Sequence, residues 1–256
     1  MPLELLFILF AGLCFGSFIT CASYRLPLEI DVVKKPSYCP SCNAKLTFKD
    51  LWPVLSWMTS GGKCRHCKAK ISARYPLIEI ITATIFALIY AYYGLSVQGA
   101  LLCLFAVALL IMVVADLEHY IIPDQIHLFL LPLGIFYHYV IGTDPMEVGI
   151  GFLIGMAIGL ALHHGYRWLR KKEGLGYGDV KFFAVAGLWL TPLPIVPFLF
   201  LSGVLGVCFG LLWRLMGKGA IFPFGPALAA ALFLCVTFQK LTNLFWNIGI
   251  IINNTF

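Results

Sequence analysis

Charge is what this sequence has least of. Asp, Glu, Lys and Arg make up 12% of its 256 residues, against 61% hydrophobic, whereas soluble domains carry about 25% charge. That shortage excludes a water-soluble fold of this length. A basic n-region is also missing, since the only early charge is Glu4. The first apolar run is therefore expected to be a retained span, not a cleaved signal peptide. There is no His-Glu-x-x-His, which excludes the zinc proteases that use it, and no convincing serine-nucleophile motif.

What the chain does have is apolar runs near the 20 residues that cross a bilayer. They fall at 3–23, 76–94, 98–115, 126–142, 148–166, 180–191, 193–213 and 223–240. These predict an all-α polytopic membrane protein of about eight transmembrane helices. The sixth run is short and bounded by proline, which suits a helix that is tilted or packed inside the bundle. The tail at 244–252 is too short, and too interrupted by asparagine, to count as a ninth.

Charge placement orients these spans. Of the 18 Lys and Arg, ten lie at 25–74, five at 167–181, two at Arg214 and Lys218, and one at Lys240. Basic loops stay cytoplasmic, so the N-terminus is expected outside and segments 24–75, 116–125, 167–179 and 214–222 inside. Segment 143–147, with Asp144, Glu147 and no base, then falls outside, as does the C-terminus. Topology accounts for the net charge of +6, and no nucleic-acid partner is expected.

The polar insertion between the first two spans carries two Cys-x-x-Cys pairs, Cys39/Cys42 and Cys64/Cys67. This is the spacing of a tetrathiolate zinc ribbon, in which four thiolates close a tetrahedron around Zn²⁺. The rival reading, disulfides, conflicts with a cytoplasmic loop. The other five cysteines (Cys14, Cys21, Cys103, Cys208 and Cys235) sit in apolar runs and read as packing residues.

Acids at span ends are expensive and read first as functional. Asp116 closes the third run, and Asp179 follows Gly176-Tyr177-Gly178. The topology puts both at the cytoplasmic boundary. Two close carboxylates there can share a proton and activate water, the minimum equipment of an aspartic protease. Gly176 and Gly178 permit an unwound backbone and the approach of an extended substrate strand. The plainer readings are an N-cap at Asp179 and interfacial charges at Asp116 and Glu118. For Asp124, which follows Pro123, the N-cap is preferred.

At this point the residues resemble a known family, the type IV prepilin peptidases (leader peptidases) of pilus, type II secretion and competence systems. The resemblance runs nearly end to end. It begins with Gly16-Ser17-Phe18, Tyr24-Arg25-Leu26-Pro27 and the four cysteines. Pro53-Val54-Leu55-Ser56-Trp57 and Gly62-Lys63-Cys64-Arg65 come next, then Arg74-Tyr75-Pro76-Leu77-Ile78-Glu79. Asp116-Leu117-Glu118-His119, Ile122-Pro123-Asp124, Gly176-Tyr177-Gly178-Asp179-Val180-Lys181 and Phe222-Pro223-Phe224-Gly225-Pro226 complete it. One departure is Thr20, where many relatives have Asn.

The resemblance implies that Asp116 and Asp179 are the catalytic pair and that Asp124 is not catalytic. It implies a bacterial inner-membrane enzyme, with prepilins or pseudopilins as substrates and its active site facing the cytoplasm. Members with the cysteine loop also N-methylate the new terminus, with S-adenosylmethionine as donor. No glycine-rich nucleotide fingerprint marks the donor's site. The expected organisation is a first span at 1–23, a tetracysteine loop with a structural zinc at 24–75, and a peptidase domain at 76–256. The alternative class is a transporter or assembly scaffold whose zinc loop binds a partner.

Overall fold

The computed structural model describes residues 2–171, 176–219 and 222–238. The tail at 244–252 lies outside them, as do residues 172–175 of the basic segment. Among the described residues the regular structure is helical, with no strand and only two isolated bridges. Two compact units divide the chain, Met1–Ala115 and Asp116–Phe256.

In the first unit, α1 (Pro2–Arg25) packs against α3 (Arg74–Tyr93), and the polar insertion between them carries the short α2 (Leu55–Thr59). Small residues set the contact. A Cβ at Gly12 would lie 2.5 Å from Ala83 Cα, and one at Gly16 would collide with Glu79 Cα. Glycines four apart let two backbones meet, and packing of this kind is what associates helices in lipid, where no hydrophobic drive exists. The unit boundary falls within α4 (Val97–His119), so Asp116 belongs to the second unit.

The second unit holds α5 (Asp124–Ile141), α6 (Pro145–Arg170), α7 (Tyr177–Leu190), α8 (Ile195–Leu215) and α9 (Gly225–Thr237). Helix α7 is only 14 residues long, yet every residue from Phe182 to Leu190 is buried. It packs against α5, α6, α8 and α9. The short sixth run is thus tolerated because protein, not lipid, surrounds it. Gly151 and Gly155 of α6 lie against Gly187 and Phe183 of α7 with no room for a Cβ. Two polar stitches join α7 to α5: Trp189 Nε1–H donates to the Leu130 carbonyl at 3.1 Å, and His138 Nε2 meets the Leu188 carbonyl at 2.9 Å.

Every one of the eight expected runs forms a helix. Five of them, α1, α3, α4, α6 and α8, are long and apolar enough to cross a membrane by length and composition. The protein is therefore an all-α polytopic membrane protein. Helix α6 outruns the expected 148–166 at both ends: Asp144 caps its start, accepting from Met146 N–H at 3.0 Å with Pro145 in the first turn, and it runs on to Arg170 before the left-handed Lys171.

Candidate functional site

Asp116 sits one turn before the end of α4 and is only 6% exposed. Its Oδ2 accepts the backbone N–H of Gly225 at 2.7 Å. Gly225 opens α9, with Pro226 behind it, so the carboxylate lies on the electropositive end of a helix, where unpaired amides favour an anion. The position demands glycine on steric grounds. A Cβ there would stand 2.6 Å from the carboxylate oxygen.

Asp179 is the third residue of α7, so the plainer N-cap reading of it does not hold. Gly176 is the N-cap, and its backbone N–H donates to the Asp179 carboxyl. This is the return half of a capping box, in which an acid at the third position reaches back to the cap amide. Asp116 lies close enough for its charge to be felt at Asp179, so the fold brings the two predicted acids into one neighbourhood. Gly178 is packed tightly, since a Cβ there would lie 3.3 Å from Ile122 Cβ. At Gly176 an added Cβ would meet Asp179 Oδ2 at an ordinary 3.5 Å, and the residue is exposed. Of the two glycines, only Gly176 is left without a packing reason.

Asp124 is not the cap of α5 either. Pro123 occupies that place and no side chain caps the helix. Instead Asp124 Oδ1 accepts from Lys181 Nζ at 2.7 Å, with 71% of its side chain exposed. Proline leaves the cap with no side-chain acceptor, and α7 supplies an ammonium that competes for the acid.

Neither Gly225 nor His127 has a role that its sequence context readily reveals. His127 is buried in the first turn of α5 beside the Phe182 ring. The signal for Gly225 was Gly-Pro opening an apolar run, a helix start that leaves an amide free for an anion.

The insertion carries the second site, in the first unit. Its two knuckles are near copies. Cys39 N–H bonds to the Ala44 carbonyl at 2.9 Å and Cys64 N–H to Ala69 at 2.8 Å, each closed by a bridge, Tyr38 with Lys45 and Lys63 with Lys70. Asn43 and Lys68 hold the matching left-handed turn positions, with φ of 56° and 60°. Four ligand sulfurs result, all within 4.8 Å of one another, and Cys39 and Cys67 Sγ are 3.9 Å apart. A tetrahedron with Zn–S bonds of 2.3 Å has edges of about 3.8 Å, so the residues fit zinc closely. Backbone amides of Ser41 and Cys42 pull the Cys39 thiol down to about 7, and those of Cys67 and His66 lower Cys64. Thiolates are what a metal needs. All nine cysteines are free. Cys235 is buried and fits the packing reading, whereas Cys14 and Cys208 are exposed on α1 and α8, and packing does not account for them.

A bundle of apolar helices holding two neighbouring acids on helix-end amides has the parts that a membrane-embedded aspartic peptidase requires. Comparison with known proteins narrows the class. Residues 10–93 match the Bacterial Peptidase A24 N-terminal domain, and residues 103–211 match the Type IV leader peptidase family. A Prepilin leader peptidase/N-methyltransferase of Bacillus subtilis is 34% identical over 236 residues, 89% of this chain and 91% of that one. Proteins of the same name are 34% identical in Aeromonas salmonicida (86% of each chain) and 30% in Neisseria gonorrhoeae (86% and 85%). No solved structure matches. The chain belongs to the type IV leader peptidase family.

Proposed function

We propose that this protein removes the basic leader from type IV prepilins or pseudopilins at the cytoplasmic face of the inner membrane, using Asp116 and Asp179 as its catalytic pair. The observation that carries the reading is the pair itself: two acids brought within electrostatic reach, each on a backbone amide at a helix N-terminus. Like charges this close titrate as a unit and share one proton. The ionised member takes a proton from water, which attacks the scissile carbonyl, while the protonated member donates to that carbonyl. Collapse of the tetrahedral intermediate breaks the C–N bond, and the proton passes to the leaving amine. Exposed Gly176 gives an extended cleavage segment room beside Asp179.

The relatives' names also support an N-methyltransferase activity, which we place on the freed amino terminus with S-adenosylmethionine as donor. We assign peptidase chemistry to residues 76–256 and an association with methyl transfer to the insertion at 24–75. Zinc on Cys39, Cys42, Cys64 and Cys67 would have no open coordination position, which makes it a fold-holding ion and not a hydrolytic one. Co-expression with a prepilin tests both activities, leader removal and a one-methyl gain at the new terminus being read together by mass. An unprocessed prepilin, in cells where the enzyme is inserted and abundant, would overturn the assignment.

A further inference from the structure

Part of the polar insertion lies where polar loops do not belong. Helices α1 and α3 are antiparallel and in register: Glu4 meets Tyr90, Gly12 backs onto Ala83, Gly16 onto Glu79, and Arg74 reaches Ser23. At 1.5 Å per residue, Gly16 lies about 14 Å and Phe10 about 22 Å along α1 from Arg25. Both levels are within the apolar run of a helix that spans a hydrocarbon core about 30 Å thick. The insertion reaches both. Val54 N–H donates to Glu79 Oε2 at 2.7 Å, level with Gly16, and the Trp52 ring centre is 6.2 Å from that of Phe10.

Much of the backbone here is bonded locally or to α3, the satisfaction that a lipid-immersed segment requires. Leu55, Ser56 and Met58 donate to carbonyls within the segment, at Pro53, Trp52 and Val54, and Leu51 donates back to Phe48 just before it. Residue 53 is a proline with no N–H to satisfy. The amide of Val54 goes to Glu79, an acid only 5% exposed inside a span. Val54 itself has φ 60° and ψ −51°, at the centre of a tight turn closed by Leu55 N–H to Pro53 O at 2.6 Å. This is the positive-φ γ-turn, rare and strained, and more so for a β-branched residue. Such a conformation persists only where its surroundings hold it, and the bond from Val54 N–H to Glu79 is one such constraint.

The other face of the segment carries Leu51, Trp52, Leu55 and Met58, between 41% and 64% exposed. It continues the exposed apolar flank of α1 at Phe7 and Phe10. Charge marks the watery end: Asp50, just before the segment, pairs with Arg65 of the second knuckle at 3.1 Å.

We propose that residues 51–58 form a re-entrant arm whose apolar face contacts the acyl chains of the bilayer, leaving the two cysteine knuckles as the part of the insertion in water. Glu79 is then a positioning residue that stitches the arm to α3. The reading rests on contacts within the first unit alone, and its test reads lipid contact, so it stands or falls separately from the peptidase assignment.

The full-length protein is reconstituted in phosphatidylcholine vesicles carrying a photoactivatable diazirine in mid-chain, irradiated, and mapped by peptide mass spectrometry. Adducts are expected on residues 51–58 as on α1, and none on 63–70. Labelling of α1 with 51–58 unlabelled would overturn the proposal. As a second measurement, Trp fluorescence is quenched with phosphatidylcholine brominated in mid-chain. Trp52→Phe should lose part of the quenching, and unchanged quenching would refute lipid contact at the arm. Cross-linking between two copies through position 58 would refute it too, by making the face a protein interface.

Discussion

Replacing Gly225 with alanine adds one methyl group, and that group is placed where it tests the site. The new Cβ would stand 2.6 Å from Asp116 Oδ2, 3.1 Å from Cγ and 3.2 Å from Cβ. Real Cβ contacts essentially never fall below 3.0 Å, so the carboxylate must swing away or the start of α9 must retreat. Either movement stretches the 2.7 Å bond from Gly225 N–H. A hydrogen bond to a charged group contributes about 1.5–3 kcal/mol, and each 1.36 kcal/mol is about tenfold in rate. Cleavage should therefore fall roughly ten- to 150-fold, within the range expected when a catalytic group is displaced by a fraction of an ångström.

The assay is the initial rate of leader removal from a prepilin by purified enzyme in detergent, read by mass. The matched control is Gly203→Ala in α8, where an added Cβ meets nothing within 4 Å. That change should leave the rate alone and gain up to about 1 kcal/mol of helix propensity. Equal rates for Gly225→Ala and wild type, with both proteins folded, would refute the claim that Asp116 works from the α9 amide.

Asp116→Asn and Asp179→Asn should each abolish cleavage without loss of abundance, because Asn cannot hold the shared proton; full processing by either variant would remove the acid pair from the mechanism. Asp124→Asn should keep activity, since an exposed pair such as Asp124–Lys181 is worth about 0–1 kcal/mol. Purified protein should carry about one zinc per chain, lost on replacing Cys39, Cys42, Cys64 and Cys67 with Ser, and methyl transfer should suffer more than proteolysis. Protons compete with zinc for thiolates, so metal content measured by mass spectrometry should fall on strong acidification in the presence of a chelator; an unchanged content under acid that protonates free thiols completely would contradict thiolate ligation. Thiol-accessibility mapping should find the knuckles, 117–122 and 168–178 on the cytoplasmic side and position 145 outside, and opposite sides for 117–122 and 168–178 would forbid the pair.

What the sequence made legible follows from the range of the forces involved. Eight apolar runs became helices because span length is a local property, set by bilayer thickness and rise per residue. The knuckles were legible for the same reason: Cys39 to Ala44 and Cys64 to Ala69 are closed turns whose geometry needs nothing distant. Asp124 was misread because its partner, Lys181, lies 57 positions away. A proline at the cap and an acid after it carry no trace of an ammonium on another helix. Gly225 and Asp116 are 109 positions apart, and Glu79 meets Val54 across 25. In each case a backbone amide or a distant side chain chooses the acid, and neither choice has a periodicity to read.

The two acids are held by one device used twice. Asp179 takes the amide of Gly176 at the start of its own helix, α7. Asp116, at the far end of α4, takes the amide of Gly225 at the start of α9. A helix N-terminus presents unpaired N–H groups and a partial positive charge, so it can hold a carboxylate without a basic side chain. In the proposed mechanism that choice bears on the chemistry. An Arg or Lys partner would hold an aspartate fully ionised, and two ionised acids cannot share a proton. A neutral amide orients the carboxyl and still leaves its proton free to move. The pattern Gly-x-Gly-Asp and the pattern Phe-Gly-Pro, far apart in the chain, thus supply the same support to the two members of the pair.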